Sequence, residues 1–182
     1  RFANTVARLG CAPADLTWRA GVDVLCLGAT KNGAMAAEAV ILFDDAKAWE
    51  LELRRKRGGH LFSKMRYLSA QMTTYLADGL WLKLAGHANA MADRLAAGLR
   101  ALPGVTLDRE MGANMMFPAL PRRAHRALQA AGAVYYLWPF DQSLEGPDDA
   151  PLTCRLVCSW STTPQEVDAF LDVARGALVE AA

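Results

Sequence analysis

The chain has 182 residues, 53% of them apolar and 21% charged, the profile of a globular protein with enough apolar mass for one good domain or parts of two. Its 20 Lys and Arg against 19 Asp and Glu leave a net charge of +1, without the basic excess that nucleic acid or an anionic membrane surface calls for. No run approaches the roughly 18 apolar residues of a membrane span, and residues 1–20 hold no signal-peptide pattern. The chain is therefore read as cytoplasmic, with neither a nucleic-acid nor a membrane partner.

Residues 1–10 read as a helix ending at Gly10, with no initiator methionine and no cap before it. A turn follows at Cys11-Ala-Pro-Ala-Asp-Leu-Thr, with a short helical piece after Pro13. Trp18 and the run Val22 to Leu27 form an incoming strand, which stops at Gly28. A second strand spans Ala39 to Phe43, and between the two lies Lys31, with Gly28 and Gly33 on either side. An ammonium held between two buried strands loses hydration, which lowers its pKa, and a neutral amine is a nucleophile able to form a Schiff base. A solvated lysine beside a hairpin turn has the same spacing, so the pattern alone leaves both readings open.

Asp44-Asp45 can cap the next helix, about Ala46 to Lys56, which is read as amphipathic. It ends in Arg54, Arg55, Lys56 and Arg57, cations that complement the negative end of a helix. Gly58-Gly59-His60 breaks it. Helices follow at about Ser63 to Ala77 and Leu80 to Leu102. The apolar stripe of the first, with Met65, Leu68, Met72, Tyr75 and Leu76, suits a core or a subunit interface.

From Val105 the pattern alternates between strand and helix. Strands are expected at Val105–Asp108, Met115–Phe117, Val134–Trp138 and Thr153–Trp160. Helices are expected at Arg122–Ala131 and from Pro164 onward, the last capped by Thr162 or Thr163. The loop Pro139 to Ala150 is rich in Asp, Gly and Pro. Four cysteines, Cys11, Cys26, Cys154 and Cys158, lack Cys-x-x-Cys spacing. Cys154 and Cys158 on one strand stand about 13 Å apart, too far for a disulfide, and all four are read as reduced core residues. No metal site is indicated.

Arg155 lies in a strand otherwise made of Leu, Val and Cys, where an unpaired charge is costly. A substrate carboxylate gripped in bidentate fashion would satisfy it, and so would a salt bridge to an Asp or Glu. His87 and His125 fall in helices and are expected to be solvent-facing or satisfied structural residues.

Residues 28–40, Gly-Ala-Thr-Lys-Asn-Gly-x-Met-x-x-Glu-Ala-Val, resemble the lysine segment of the low-specificity threonine aldolases, a fold type I family dependent on pyridoxal 5′-phosphate. Arg1-Phe-Ala-Asn, Leu9-Gly-Cys, Gly58-Gly-His-Leu-Phe-Ser-Lys-Met-Arg66 and Arg155-Leu-Val resemble the same family in the same order. The resemblance runs from Arg1 to about Val173. It implies an α/β fold of the fold type I transferase-like class. Residues 1–79 would be the C-terminal part of the cofactor-binding large domain, and residues 80–182 the linking helix and a small C-terminal α/β domain.

The resemblance further implies that Lys31 is catalytic and carries pyridoxal 5′-phosphate covalently. Thr30 would turn its hydroxyl to the cofactor phosphate, although a turn-stabilising hydroxyl accounts for it equally. Arg155 would hold the substrate α-carboxylate, and Arg1 would reach the cofactor or that carboxylate. The Gly58–His60 loop, with Lys56 and Lys64, would face a neighbouring subunit's cofactor, Lys64 being the candidate for its phosphate or else a surface lysine. The implied partners are an amino-acid substrate and further copies of the chain, as a dimer or tetramer with shared active sites. The family carries an aspartate, a glycine and a small residue just ahead of the residue matched by Arg1. The chain is thus expected to lack an N-terminal half holding the phosphate loop, the ring-stacking histidine, the aspartate for the pyridine nitrogen and the general base. The implied activity is cleavage of L-threonine and related β-hydroxy-α-amino acids to glycine and an aldehyde. The alternatives are β-elimination, racemisation or transamination on the same cofactor, or a dimerising α/β module that binds no cofactor.

Overall fold

The computed structural model describes residues 1–61, 63–107 and 111–179. Phe62 of the glycine-histidine motif and Asp108, the end of an expected strand, lie outside the described residues. The chain divides into two compact units, Arg1–Gly86 and His87–Ala182. Among the described residues no helix is long and apolar enough to cross a membrane.

The first unit opens with α1 (Phe2–Leu9), closed by Gly10 in the left-handed conformation with its N–H donating to Val6 O. That is the glycine stop expected there. Pro13–Leu16 and Trp18–Ala20 are short 3-10 turns, so Trp18 does not join the incoming strand as expected. Gly21, at φ 83, separates it from the strand run. Strands β1 (Val24–Gly28) and β2 (Glu38–Leu42) pair antiparallel, Val24 opposite Leu42 through Gly28 opposite Glu38. They form a two-stranded ribbon rather than a buried pair: Val24, Cys26 and Val40 are exposed, and Leu27 is the buried residue of β1. Cys26 is accordingly not a core cysteine.

Asp44 caps the next turn, its Oδ1 accepting from Ala46 N at 3.0 Å. Helix α2 (Ala48–Arg57) buries none of its residues and is laced by Arg54–Glu50 and Arg55–Glu52 pairs, so it is a solvated helix and not the amphipathic one expected. Helix α3 (Arg66–Leu76) buries only Tyr75 of the expected stripe; Met65, Leu68 and Met72 are half-buried and Leu76 is exposed. Tyr75 packs with Ala29 and Ala37, and Met72 and Trp81 close around them.

Helix α4 (Leu80–Arg100) carries the chain into the second unit, whose sheet is centred on β6 (Pro151–Val157). β3 (Met115–Met116) and β4 (Ala119–Pro121) pair with β6 in a single register, Met115 opposite Val157 and Ala119 opposite Thr153. They are one strand interrupted at Pro118, which has no N–H to give the ladder although its carbonyl still accepts from Cys154 N at 2.9 Å. The expected strand at Val105–Asp108 is reduced, in its described part, to a bridge between Thr106 and Ala119. β5 (Tyr136–Leu137) also pairs with β6, Tyr136 opposite Arg155.

Along β6, Leu152, Cys154 and Leu156 are buried against α4, α5 (Arg122–Ala130) and α6 (Pro164–Val179), in a core with Leu99, Leu120, Leu128, Leu171 and Leu178. Burial pushes the Cys154 thiol up to about 12 and Cys158 to about 11, so both are inert, and all four cysteines are free. Thr163 and Glu166 form a reciprocal capping box at the start of α6. The Pro139–Ala150 loop is held by arginines of α5. Arg122 donates to the carbonyls of Ser143 and Pro147, while Arg123 and Arg126 pair with Asp149 and Asp148.

His125, 0% exposed, is satisfied at both nitrogens. A carbonyl only accepts, so Nε2 carries the proton and donates to Leu152 O at 2.9 Å, which leaves Nδ1 to accept from Tyr135 OH at 2.9 Å. Burial holds its pKa below the usual histidine value, whereas the unfolded chain protonates it near about 6.5. The unfolded state therefore binds more protons as the pH drops, and the stability from this residue is full above about pH 6.5 and lost below it. His125→Leu is expected to cost about 1–3 kcal/mol at pH 7, by orphaning Tyr135 OH and Leu152 O, and to flatten the decline of stability between pH 6.5 and 5. Urea midpoints across that range check both.

A second pair of substitutions tests the packing of α4 on α6. A Cβ built on Gly98 falls 2.7 Å from Leu171 Cδ2 and closer still to Cδ1, while one on Gly176 meets nothing within 4 Å. Gly98→Ala is expected to destabilise the protein by about 1–3 kcal/mol through overpacking, and Gly176→Ala to stabilise it by about 0.5–1 kcal/mol. The same urea midpoints should move in opposite directions.

Candidate active site

In the first unit, Thr30-Lys31-Asn32 is a single 3-10 turn joining the ends of the ribbon. It is fixed from both sides. Ala29 N donates to Ala37 O at 2.9 Å, closing the ribbon, and Asn32 N donates back to Ala29 O. Asn32, buried, turns its amide inward and donates from Nδ2 to Tyr75 OH at 2.8 Å and to Trp81 O at 2.9 Å. Burial raises the Tyr75 pKa above its usual value, against the donation from Asn32, with the Glu38 carboxylate adding to the rise. Met35 N donates to Gln71 Oε1 at 2.7 Å, tying the far side of the turn to α3.

With its neighbour Asn32 anchored in the interior, Lys31 projects outward and is exposed, as is Thr30. The burial between strands expected of Lys31 is thus not found in the described chain, because the ribbon it joins has little packed against its faces. Arg1 is brought close to this turn. Its backbone amine is held below the usual value by burial, by its own guanidinium and by the Lys31 ammonium, with Glu38 acting in the opposite sense. Gly28 makes room for that carboxylate: a Cβ there would lie 2.5 Å from Glu38 Oε2. Arg1, Lys31 and Glu38 therefore share one neighbourhood. Lys64 is exposed and sits at φ 62, and among the described residues no hydrogen bond or ion pair of its side chain places it at the turn.

Arg155 belongs to the second unit. It points away from the leucine core, its Nε is buried, and among the described residues Nε has no hydrogen-bond partner. No described carboxylate pairs with it, which removes the salt-bridge reading among those residues. Its guanidinium lies over Tyr136 and Trp138, 5.5 and 5.6 Å from the ring centroids. It also lines a cavity of about 740 Å³ walled by Tyr135, Tyr136, Leu156, Val157 and Phe170, ample for a solute of amino-acid size. A buried donor on a fixed cation beside such a space calls for an anionic acceptor.

Of the histidines, His125 is the satisfied structural residue expected, and exposed His87 brings Nε2 to 2.7 Å from Thr162 O. Sequence reasoning passed over four residues. Asn32 carried a signal, a polar amide inside an apolar-flanked turn. Tyr136 and Trp138 carried another, aromatics two apart on an expected strand opposite Arg155. Gln142 carried none: its amide accepts from Thr153 N at 2.9 Å and donates to Thr153 O at 3.0 Å and Pro139 O at 3.1 Å, pinning the segment after Trp138 to β6.

A family model described as beta-eliminating lyase matches residues 1–120. The low specificity L-threonine aldolase of Pseudomonas aeruginosa is 42% identical over 167 residues, covering 92% of this chain and 45% of that protein. The chain thus spans about half the length of the curated relatives it matches. Among solved structures, a threonine aldolase of Leishmania major superposes with a TM-score of 0.84 at 29% identity, over 98% of this chain and 50% of that one. A lysine aminotransferase of M. tuberculosis, 18% identical with a TM-score of 0.51 over 97% of this chain and 40% of that one, shares the fold alone. The chain therefore has a fold type I α/β architecture and belongs to the beta-eliminating lyase family.

Proposed function

We propose that this chain carries the lysine and the carboxylate-binding arginine of a pyridoxal 5′-phosphate-dependent aldolase. Its reaction would cleave L-threonine and related β-hydroxy-α-amino acids to glycine and an aldehyde. The observation that carries the reading is the lysine turn: a primary amine held outward on a turn locked by a buried asparagine, in a chain whose relatives are named low specificity L-threonine aldolase.

The residues present fit the cofactor. An exposed primary amine suits its aldehyde, the hydroxyl of Thr30 and the cation of Arg1 suit its phosphate or a nearby carboxylate, and the unpartnered Nε of Arg155 suits the substrate. Bound there, pyridoxal 5′-phosphate supplies an electron sink for the pair released when the substrate's Cα–Cβ bond breaks. Lys31 holds that group, and Asn32 sets the direction of the Lys31 stem. Arg155 grips the α-carboxylate through paired N–H groups and so fixes which bond at Cα is presented for cleavage. Guanidinium groups stay charged, so Arg1 and Arg155 bind and orient without moving the β-hydroxyl proton. Lys64 is assigned to the phosphate of a neighbouring subunit's cofactor, in a cytoplasmic homo-oligomer, dimer or tetramer, with shared active sites.

Incubation with pyridoxal 5′-phosphate, hydride reduction and peptide mapping is expected to find the cofactor joined to Lys31 and absent from Lys31→Ala. Attachment spread evenly over surface lysines would count against the reading. Release of glycine and acetaldehyde from threonine, with no pyruvate or ammonia from serine, separates the aldolase from a β-eliminating enzyme. Asn32→Ala is expected to lower stability by about 1–3 kcal/mol, through the lost bonds to Tyr75 and Trp81, and to slow labelling of an otherwise intact Lys31. A urea titration and the labelling time course check these two effects separately.

A further inference from the structure

Tyr136 sits directly across the ladder from Arg155, and Trp138 two residues along the same strand segment, so both rings rise on the face that carries the guanidinium. Both lie within cation–π range of Arg155 Cζ, at 5.5 and 5.6 Å. Phe140 braces the pair edge-on, its centroid 5.7 Å from that of Tyr136 and 4.8 Å from that of Trp138, and Phe117 tilts against Trp138 at 6.1 Å. Gln142 fastens the end of this segment to Thr153, two residues before Arg155. Such an investment in exposed aromatic surface (Tyr136 is 59% exposed and Phe140 66%) is not accounted for by the core, which lies on the other face of β6.

We infer that Tyr136 and Trp138 are positioning residues that clamp the Arg155 guanidinium in the orientation that receives the substrate carboxylate. This rests on the reading of Arg155 as the carboxylate grip. A free arginine has many rotamers, and freezing them on binding weakens the complex; two rings that hold the planar group beforehand remove much of that cost. The rings offer no acceptor to the guanidinium, so the clamp orients the cation without satisfying its hydrogen bonds; Nε itself is occluded, and the terminal N–H groups are the donors left to the ligand. A carboxylate partner in place of the rings would have neutralised the site.

The test uses acetate, a carboxylate without an amine, so its outcome does not depend on Lys31 or on the cofactor. The Arg155 Nε–H resonance of 15N-labelled protein, identified by its loss in Arg155→Lys, is followed at constant ionic strength. In the native chain it is expected to lie away from ordinary arginine positions, because of ring currents, and to move as acetate is added. Tyr136→Leu and Trp138→Leu should return it toward the ordinary position and weaken acetate binding about 3- to 30-fold each. Tyr136→Phe and Trp138→Phe, which keep a ring, should bind within about 2-fold of native. A structural role alone would not give this split between leucine and phenylalanine. Leucine variants that bind acetate as tightly as the native chain, while Arg155→Lys binds it poorly, overturn the clamp and leave the carboxylate grip standing. A native Arg155 resonance indifferent to acetate overturns the grip and the clamp together.

Discussion

The alternation of side chains along β6 is the constraint on which the second unit depends. Leu152, Cys154 and Leu156 enter the core beneath three helices, and Thr153, Arg155 and Val157 are turned the other way. A slip of one residue in the pairing with β3 and β4 would drive the guanidinium into a layer of leucines and expose the core in its place. The register that keeps the core dry is therefore the same one that presents the arginine. Core packing and the presentation of Arg155 are set by one geometric choice, which leaves little freedom to tune either alone.

The first unit solves a different problem, holding an exposed lysine at the end of a narrow ribbon that offers little packing. It does so through the neighbouring residue. Asn32 buries its amide and spends both donors on Tyr75 and Trp81, so the turn is anchored from below while Lys31 stays accessible.

Much of this was legible in the residues. The Gly10 stop, the Asp44 cap and the Thr163 cap follow from local hydrogen-bond chemistry and appear as expected. What escaped depends on partners distant in sequence. β4 was hidden because Pro118 cannot donate, so a seven-residue strand looked like a three-residue one with a loop behind it. Helix α2 carried apolar residues at helical spacing, yet the described chain buries none of them. The apolar runs around Lys31 promised burial, but a run records only what a strand could bury, and the described ribbon buries little. Arg155 was visible as a charge in an apolar strand; its aromatic surroundings came from pairing with β5, which periodicity does not reveal.

Gln142 has a consequence beyond fastening a loop. Its primary amide copies a peptide unit, accepting from Thr153 N while donating to Thr153 O and to Pro139 O. Trp138 N makes the last main-chain bond, to Thr153 O at 2.9 Å, and the side chain takes over at Thr153 N, so the main chain turns away there. The length of β5 is thus decided by a group outside the strand. Sequence drift in the acidic loop beyond it can proceed without unravelling the sheet, provided that one amide survives.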